Sequence, residues 1–405
     1  MLQSQEKKYI YNEVKYGIEY DYNLINKTFS KMLKVCKAPK GLFMPNKTRI
    51  DKYKWNVFLS ERSTSKTTQW LLYGMTMNAL YGTTVVYVRT NKEMTTRTFN
   101  EKLFNVICMK EYSYISYLTN EKYNSVHIDK ISKEVFYCRR DESGLMDEIA
   151  PEPFCIILAV SESDRYYGLS LPFGDLIIFD EFSRGTYKND DWVSFNNMIA
   201  TVRRDRESMR IVMLSNTVNP YHQYLVELGI SKALKGLKKG AEMVVTAELG
   251  AVVYVQWVDV EMHKTVIFKK ASLSYHGFAN EKLKAIYGGD WEYKNFPRLP
   301  KDIKNEVIDR TIYIEFMGRL LALEVMTGDL PCINIRPYTR NEDSLKDNAI
   351  IITDDEMNCY KVNHIKGNRQ NMKFLLVNMA YGRVFYATND CGTMINDFIK
   401  NLQYI

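Results

Sequence analysis

One short segment places a lysine and a threonine where they could bind phosphate. Residues 60–67 read SERSTSKT, and the polar stretch gives way directly to the apolar run QWLLYGMTMNALYG. A lysine ammonium and the free N–H groups of a helix start attract phosphate oxygens, and an adjacent hydroxyl is a ligand for Mg²⁺. The spacing is that of the P-loop, G-x-x-x-x-G-K-[ST], with serine at both glycine positions. The predicted phosphate-binding residues are Ser60, Glu61, Arg62, Ser63, Thr64, Ser65, Lys66, Thr67 and Thr68.

A second segment, LIIFDEF at residues 176–182, is an apolar run that ends on two adjacent acids, Asp180 and Glu181. Charged residues can follow a strand simply because the chain reaches the surface there. In P-loop ATPases, however, an apolar strand neighbouring the P-loop strand ends in such a pair: the aspartate orients Mg²⁺ and the glutamate polarises the attacking water. Each motif alone has a structural explanation, but both together predict a site for Mg²⁺ and ATP. Thr67 and Asp180 would hold the metal, and Glu181 would activate the water.

A third segment, MRIVMLSNT, is a predicted strand that ends at Ser215 and Asn216. An ordinary strand-to-loop exit with an Asx turn explains this pattern equally well. Beside the other two motifs, it predicts that Asn216 senses the terminal phosphate of the nucleotide.

Strands and helices are predicted to alternate around these motifs. The expected strands are WNVFL (55–59), TTVVYVRT (83–90), FCIILAV (154–160), DLIIFDE (175–181), MRIVMLSN (209–216) and GAVVYVQWVDV (250–260). Continuous apolar strands that alternate with helices indicate a parallel sheet buried on both faces. The chain is therefore predicted to contain an α/β P-loop domain over residues 1–265, a helical linker over 266–302 and a smaller α+β domain over 303–405.

Composition is consistent with a folded protein and excludes few functions. The chain has 405 residues, 46% of them hydrophobic, and no apolar run near the roughly 20 residues that span a bilayer. The N-terminal residues lack the apolar core of a signal peptide, so no membrane partner is expected. Seven cysteines without metal-ligand spacing fit reduced thiols in a cytoplasm. The net charge of +7 permits nucleic-acid binding, and its excess lies before residue 301, because residues 301–405 contain 13 basic and 14 acidic residues.

The motifs together resemble those of viral genome-packaging ATPases of the large-terminase class. SERSTSKT is similar to the terminase loop G-G-R-G-S-G-K-S, with Arg62 on its arginine and the glycines lost; IIFDEF and VMLSNTVNPYHQYL resemble the Walker B strand and the coupling motif. The resemblance covers roughly residues 50–225 and is nearest to the encapsidation ATPases of protein-primed, phi-twenty-nine-type phages. It implies an ASCE, RecA-like motor domain and a C-terminal domain like a vestigial RNase H-type nuclease.

The same resemblance implies partners and a place of action. Such ATPases form a homo-oligomeric, pentameric ring at the portal vertex of a procapsid in the host cytoplasm and drive double-stranded DNA inward with ATP. A structural prohead RNA lies between portal and ATPase in the protein-primed group. The segment TVRRDRESMR resembles the one that supplies an arginine finger to the neighbouring subunit, so Arg203, Arg204 and Arg206 are candidates, as is Arg62 within its own site. A solvated basic helix end explains these arginines equally well.

Two further groups of charged residues suggest nucleic-acid chemistry. Basic residues that could grip DNA phosphates are Lys122, Lys130, Lys133, Arg139 and Arg140, with a second group at Lys361, Lys366, Arg369 and Lys373. Acids that could hold nuclease metals are Asp354, Asp355, Glu356, Asp390 and Asp397. The first predicted hairpin of this domain has no lone aspartate mid-strand and offers only Glu315 over residues 311–317, so active cleavage is not expected. The alternatives are a full terminase with an active nuclease and a degenerate P-loop protein that only binds nucleic acid. A helicase is disfavoured, since no helicase motifs follow residue 225.

Overall fold

The computed structural model divides into two compact units, Met1–Pro220 with Glu227–Trp291, and Tyr221–Val226 with Glu292–Ile405. The residues it describes are 19–60, 64–166, 174–183, 190–203, 207–216, 222–234, 237–247, 250–260, 296–300, 307–316, 319–328, 330–338, 350–353 and 369–402. Most of the predicted linker over 266–302 lies outside these ranges, so the predicted domain boundaries stay predictions. None of the described helices is long and apolar enough to cross a bilayer.

The first unit is built on one large sheet. Its described strands are β1 (Trp55–Leu59), β2 (Val85–Arg89), β3 (Ser125–Ile128), β4 (Glu134–Arg140), β5 (Met146–Ile149), β6 (Cys155–Ala159), β7 (Leu176–Asp180), β8 (Arg210–Ser215), β9 (Glu242–Thr246) and β10 (Val252–Trp257). Their order is β3-β4-β6-β2-β7-β8-β1-β10-β9, with β5 paired to β4. The central run from β6 to β10 is parallel throughout. The predicted parallel α/β sheet is therefore confirmed, strand for strand.

The sheet order corrects one prediction. The strand that ends on Asp180 was expected to neighbour the P-loop strand, but β8 lies between β7 and β1. The reason is that β8, which ends at Ser215, pairs with β7 on one side and with β1 on the other. Asp180 and the lysine of the loop are thus separated by one extra strand, and that strand carries Asn216 at its end.

Helices pack against the sheet and contribute side chains to the core of the first unit. The described helices of the first unit are α1 (Tyr22–Val35), α2 (Lys66–Tyr81), α3 (Arg97–Phe104), α4 (Tyr114–Leu118), α5 (Asp191–Arg203) and α7 (Ser231–Leu234), whereas α6 (Gln223–Glu227) falls mostly in the segment assigned to the second unit. Helix α2 is apolar on every side because it is buried nearly all round, with Trp70 and Tyr73 fully enclosed. Gly74 allows its close approach to the sheet, since a Cβ at that position would lie 2.4 Å from Cγ2 of Val85.

The polar stretch 91–150 contains structure that periodicity did not predict. Strands β3, β4 and β5 form two antiparallel hairpins joined to β6. Glu162 links the first hairpin to the segment that follows β6. Its buried carboxylate accepts a hydrogen bond from Lys133 Nζ at 2.9 Å and lies 3.0 Å from Lys92 Nζ. Burial alone would raise the pKa of this carboxyl, but the lysines outweigh it and the pKa is lowered.

The second unit is the smaller α+β part, as predicted. Its described elements are β11 (Val307–Phe316), β12 (Arg319–Thr327), β13 (Cys332–Pro337), β14 (Ile350–Thr353), α8 (Arg369–Ala380), β15 (Val384–Tyr386) and α9 (Asn389–Leu402). The sheet order is β14-β11-β12-β13-β15, with an antiparallel meander at its centre. Side chains from the sheet and both helices form a separate core. The predicted likeness to an RNase H-type nuclease stays a prediction.

Candidate active site

The carboxyl ends of three parallel strands bring the predicted motifs together. Leu59 of β1 pairs with Ser215 of β8, and Asp180 of β7 pairs with Leu214 of the same strand. Because parallel strands in register end at the same edge, the residues that follow them become neighbours. The backbone continues this alignment, since Ser60 N–H donates to the carbonyl of Ser215 at 3.1 Å. Sequence segments more than 100 residues apart thus form one site.

Lys66 lies at the centre of the site, at the first residue of α2. Its buried ammonium donates to Asn216 Oδ1 at 3.1 Å and to Thr64 Oγ1 at 3.2 Å, and it also contacts Ser60 Oγ. Burial lowers the pKa of Lys66 to about 8, although the carboxylates of Asp180 and Glu181 counteract the shift. A cation held in this way by neutral groups can exchange those partners for phosphate oxygens with a large electrostatic gain.

The loop adopts its turn without glycine at the second conserved glycine position. Ser65, directly before α2, has φ 63° and ψ 15°, the left-handed conformation that glycine adopts at no cost. Ser60, at the first glycine position, is not among the described residues with positive φ, so its side chain causes no such strain. Glu61, Arg62 and Ser63 lie outside the described residues. Of the two serines at glycine positions, Ser65 therefore has a strained backbone and Ser60 does not.

Thr67 and Asp180 form the pair expected to hold a metal. The Thr67 hydroxyl donates to Asp180 Oδ1 at 2.9 Å, and the Tyr87 hydroxyl donates to Asp180 Oδ2 at 2.6 Å. Burial, together with the Asp180 carboxylate, raises the pKa of Tyr87 well above its ordinary value, so this phenol stays a donor. Mg²⁺ prefers hydroxyl and carboxylate oxygens and takes few protein ligands. Thr67 and Asp180 fit that requirement.

Glu181 has a strained backbone, and both oxygens of its carboxylate accept hydrogen bonds. Its backbone has φ 49°, which is rare for a residue with a side chain and clusters at functional sites. One carboxylate oxygen accepts from Arg89 Nη1 at 2.9 Å, and the other accepts from Asn216 Nδ2 at 3.1 Å. Asn216 therefore bridges the lysine and the glutamate, and its role as a sensor of the terminal phosphate stays a prediction.

Arg89 and Tyr87 are the site residues that the motifs missed. Both lie on β2, the strand beside β7. Burial of the Arg89 guanidinium would lower its pKa, but Tyr87, Asp180 and Glu181 outweigh this effect and the pKa is raised. Nη2 of Arg89 lies 3.4 Å from Asp180 Oδ2, so a single cation serves both acids. The signal in the sequence was a charge inside the apolar run TTVVYVRT, since buried arginine is rare unless it is paired.

Arg203 lies at the opposite edge of the sheet. Its Nη2 is 2.8 Å from Glu207 Oε1, and Glu207 also contacts Lys54, which precedes β1. The site lies beyond the other end of β1, roughly 15 to 20 Å away at about 3.3 Å per residue. Arg203 therefore does not belong to the candidate active site of its own chain. Its predicted role, as an arginine finger in the active site of a neighbouring subunit, stays a prediction. Arg204 and Arg206 lie outside the described residues.

Several predicted DNA-gripping residues make contacts within and beside the hairpins. Lys133 is paired with Glu162, and Lys122 lies 3.4 Å from Glu148. Arg139 donates to the carbonyl of Lys122 at 2.9 Å, and Arg140 donates to that of Gly144 at 3.0 Å. In the second group, Lys361 and Lys366 lie outside the described residues. A DNA-gripping role for either group stays a prediction.

The acids of the second unit do not converge where the structure describes them. Glu315 lies on β11, Asp390 and Asp397 lie on α9, and Asp354, Asp355 and Glu356 fall outside the described residues. Within the described ranges, no three acidic, histidine or cysteine side chains are grouped as metal ligands. Glu324 is the buried acid of this sheet, and its carboxylate accepts from Arg336 Nε at 2.6 Å and Asn334 Nδ2 at 3.0 Å.

Comparison with known proteins gives matches among solved structures only. No protein-family model and no curated protein matches the chain. The Phi-28 gp11 DNA packaging motor is 13% identical, with 89% of this chain and 98% of that chain covered and a TM-score of 0.49. The bacteriophage Phi-29 genome packaging motor assembly is 15% identical, with 89% and 99% covered and a TM-score of 0.46. The large terminase of the thermophilic bacteriophage D6E is 11% identical, with 94% and 86% covered and a TM-score of 0.34. DNA packaging motors and a large terminase, the kinds of protein that the sequence resembles, are thus among the structural neighbours.

Proposed function

We propose that this chain is a Mg²⁺-dependent ATPase that moves double-stranded DNA into a viral procapsid. The observation that carries the proposal is the connected set of side chains at the carboxyl edge of the sheet. Lys66 bonds to Asn216, Asn216 to Glu181, and Thr67 to Asp180. A cation for phosphate, a hydroxyl–carboxylate pair for a metal and a separate carboxylate for water are the three parts that ATP hydrolysis requires.

Each residue has a role in this proposal. Lys66 and the N–H groups that begin α2 bind the β- and γ-phosphates. Thr67 and Asp180 would hold Mg²⁺, which would supply positive charge to neutralise the phosphate groups. Glu181 accepts the proton of the attacking water, and Arg89 with Asn216 fixes the direction of its carboxylate. Arg62, or an arginine among Arg203, Arg204 and Arg206 of a neighbouring copy, would stabilise the transferring phosphoryl group.

The remaining partners follow from the resemblance of the motifs to packaging ATPases. The protein would act as a homo-oligomeric ring, a pentamer in the related group, at the portal vertex of a procapsid in the host cytoplasm. Prohead RNA would be a further partner in a protein-primed system. Contacts with DNA would be made to phosphates and would therefore weaken steeply with salt.

The test is steady-state ATP hydrolysis with and without double-stranded DNA. Wild type should hydrolyse ATP in the presence of Mg²⁺ and respond to DNA, and Lys66→Ala and Glu181→Gln should each lose at least about 100-fold in kcat. Lys31→Ala and Glu111→Gln, which change the same residue types at exposed positions, are the matched controls and should retain full turnover.

Nucleotide binding distinguishes the failure of hydrolysis from the failure of the site. Glu181→Gln should still bind ATP, since the lysine and the metal pair are intact. If neither wild type nor this variant binds ATP while both bind DNA, the ATPase proposal is wrong and the chain is a nucleic-acid-binding P-loop relative.

A further inference from the structure

The hairpin that joins β4 to β5 is an exposed surface with an unusual composition. Residues 141–149 read DESGLMDEI, with four acids and no basic residue, and all nine are exposed. Leu145 is 69% exposed, while Met146 and Ile149 are 45% and 41% exposed. We call these nine residues the acidic hairpin. A short edge strand that exposes apolar side chains on both faces marks a surface that another chain covers.

The turn of the acidic hairpin is stabilised by hydrogen bonds to one aspartate. Asp141 Oδ1 accepts from Ser143 Oγ at 2.6 Å and from the N–H of Leu145 at 2.9 Å, and Gly144 supplies the left-handed residue with φ 86°. Among the described residues, Glu148 has Lys122 as an ion-pair partner, whereas Asp147 and Glu142 have none. Leu145 is therefore presented in a fixed position beside carboxylates that can take an external cation.

The second unit carries a surface of the opposite charge. Lys373, Leu376 and Val377 lie on the solvent side of α8, and Tyr381 continues that side one turn later. Tyr381 is 73% exposed, and Arg383 lies over its ring at 5.7 Å. We call these five residues the α8 face. Helix α8 contains no acidic residue, and no described acid pairs with Lys373 or Arg383.

We propose that the acidic hairpin of one copy of this chain binds the α8 face of a second copy. Each surface has three exposed apolar side chains, and the flanking charges have opposite sign. Pairing them removes both apolar patches from water and gives Asp147 and Glu142 the cations that they lack. The two surfaces differ, so the contact is heterologous: each copy uses its hairpin toward one neighbour and its helix toward the other. This pairing builds a ring or an open filament, and it does not depend on ATP hydrolysis.

Charge reversal tests the pairing, with sedimentation over a range of protein concentrations as the measurement. Variant A is Glu142→Lys with Asp147→Lys, and variant B is Lys373→Glu with Arg383→Glu. Each alone should associate at least about tenfold more weakly than wild type, because both surfaces then carry the same sign. An equimolar mixture should recover association, since the hairpin of each variant again meets a helix of opposite charge on the other.

The control for variant B is Lys27→Glu with Lys31→Glu, an equal change of charge on the exposed side of α1 that should leave association unchanged. A mixture that associates no better than either variant alone would overturn the proposal. So would a wild-type strength of association in variant A. If variant B instead loses binding to a nucleic-acid duplex while association is unchanged, the α8 face is a nucleic-acid surface and the pairing is wrong.

Disulfide trapping tests the same contact between copies directly. Leu145→Cys and Val377→Cys are made in separate, differently tagged chains, so the engineered pair can form only between two molecules. The mixture should give the mixed disulfide dimer on mild oxidation, and each variant alone measures the background from native cysteines. The experiment is run at a protein concentration at which wild type associates, or at the highest concentration attainable. If no mixed dimer then forms above the background, the proposal is contradicted. The variants leave every residue of the candidate active site intact, so this failure is distinct from a failure of ATP hydrolysis.

Discussion

A buried aspartate lies at each end of strand β7, and the two aspartates differ in the charged groups around them. Asp175, directly before the strand, is 1% exposed, and Asp180, its last residue, is 3% exposed. Asp175 Oδ2 accepts from the hydroxyls of Tyr20 at 2.5 Å and Ser208 at 3.1 Å, which joins the segment before α1 to the segment before β8. Asp180 also accepts from two hydroxyls, but Arg89 and Lys66 lie beside it.

This difference shows which features identify a functional acid. Burial and hydroxyl donors are common to both ends of the strand, so neither distinguishes a site from a structural anchor. Only the carboxyl edge adds a buried lysine, an arginine shared by two acids and a glutamate at positive φ. These features cost folding free energy, and residues that bear such costs cluster where chemistry is done.

The largest expected effect comes from changing the two aspartates in parallel. Asp180→Asn should lower kcat for ATP by about 1,000-fold, because loss of the metal ligand removes several kcal/mol of transition-state stabilisation. Asp175→Asn should leave kcat within about threefold and lower the free energy of unfolding by about 1–3 kcal/mol, the cost of disturbing a buried hydrogen-bonded group. Turnover and chemical denaturation of both variants provide the measurement. Equal losses of turnover would remove the distinction between the two edges.

The next effect separates two arginines at opposite edges. Arg89→Lys keeps the charge but loses the fork that contacts both acids, so kcat should fall about 10- to 100-fold while KM changes less than about threefold. Arg210→Lys is the matched control: Arg210 donates to backbone carbonyls of Ile50 and Asp51, and its replacement should affect stability alone. A change in KM without a change in kcat would show that Arg89 serves binding rather than the orientation of Glu181.

A smaller effect concerns proton uptake by Lys66. Its pKa is lowered to about 8, and phosphate binding requires the charged form, so the apparent Kd for nucleotide should rise up to about tenfold per pH unit above pH 8. The sign follows because the free protein loses the proton first and must regain it on binding. Calorimetry in two buffers of different ionisation enthalpy should show little proton uptake near pH 7 and close to one proton at pH 9. Asp175→Asn should give the wild-type profile, and an uptake of zero at pH 9 would exclude Lys66 as the titrating group.

The smallest effect compares two serines with left-handed backbone. Ser65→Gly should raise the free energy of unfolding by about 1 kcal/mol and preserve or raise ATPase activity, since glycine adopts φ 63° without strain. Ser113→Gly, at φ 51° before α4, should give the same stabilisation with no change in activity. A large loss of activity in Ser65→Gly alone would mean that the serine side chain is itself required.

The sequence by itself determined the central sheet and the ends of its strands. Runs that are almost wholly apolar, such as WNVFL and LIIF, specify buried parallel strands because such strands are covered on both faces. The residues that follow these runs, Lys66, Asp180 and Asn216, could be placed at one edge from the direction of the strands alone. Periodicity predicted no strand over 91–150, where the short strands β3 and β5 are half-buried or exposed and carry no apolar pattern.

Tertiary structure alone decided which strands are neighbours and which side chains meet. The order β7-β8-β1 is set by packing between segments far apart in the chain, and it places Asn216 between the acids and the lysine. The same order brings β2 beside β7 and so gives Glu181 its arginine, although Arg89 belongs to no recognised motif. The pattern of apolar residues in a segment indicates only how that segment is buried. The hydrogen bond between Arg89 and Glu181 joins residues 92 apart in the sequence, so it depends on which strands pair and in what register, and the pattern does not specify either.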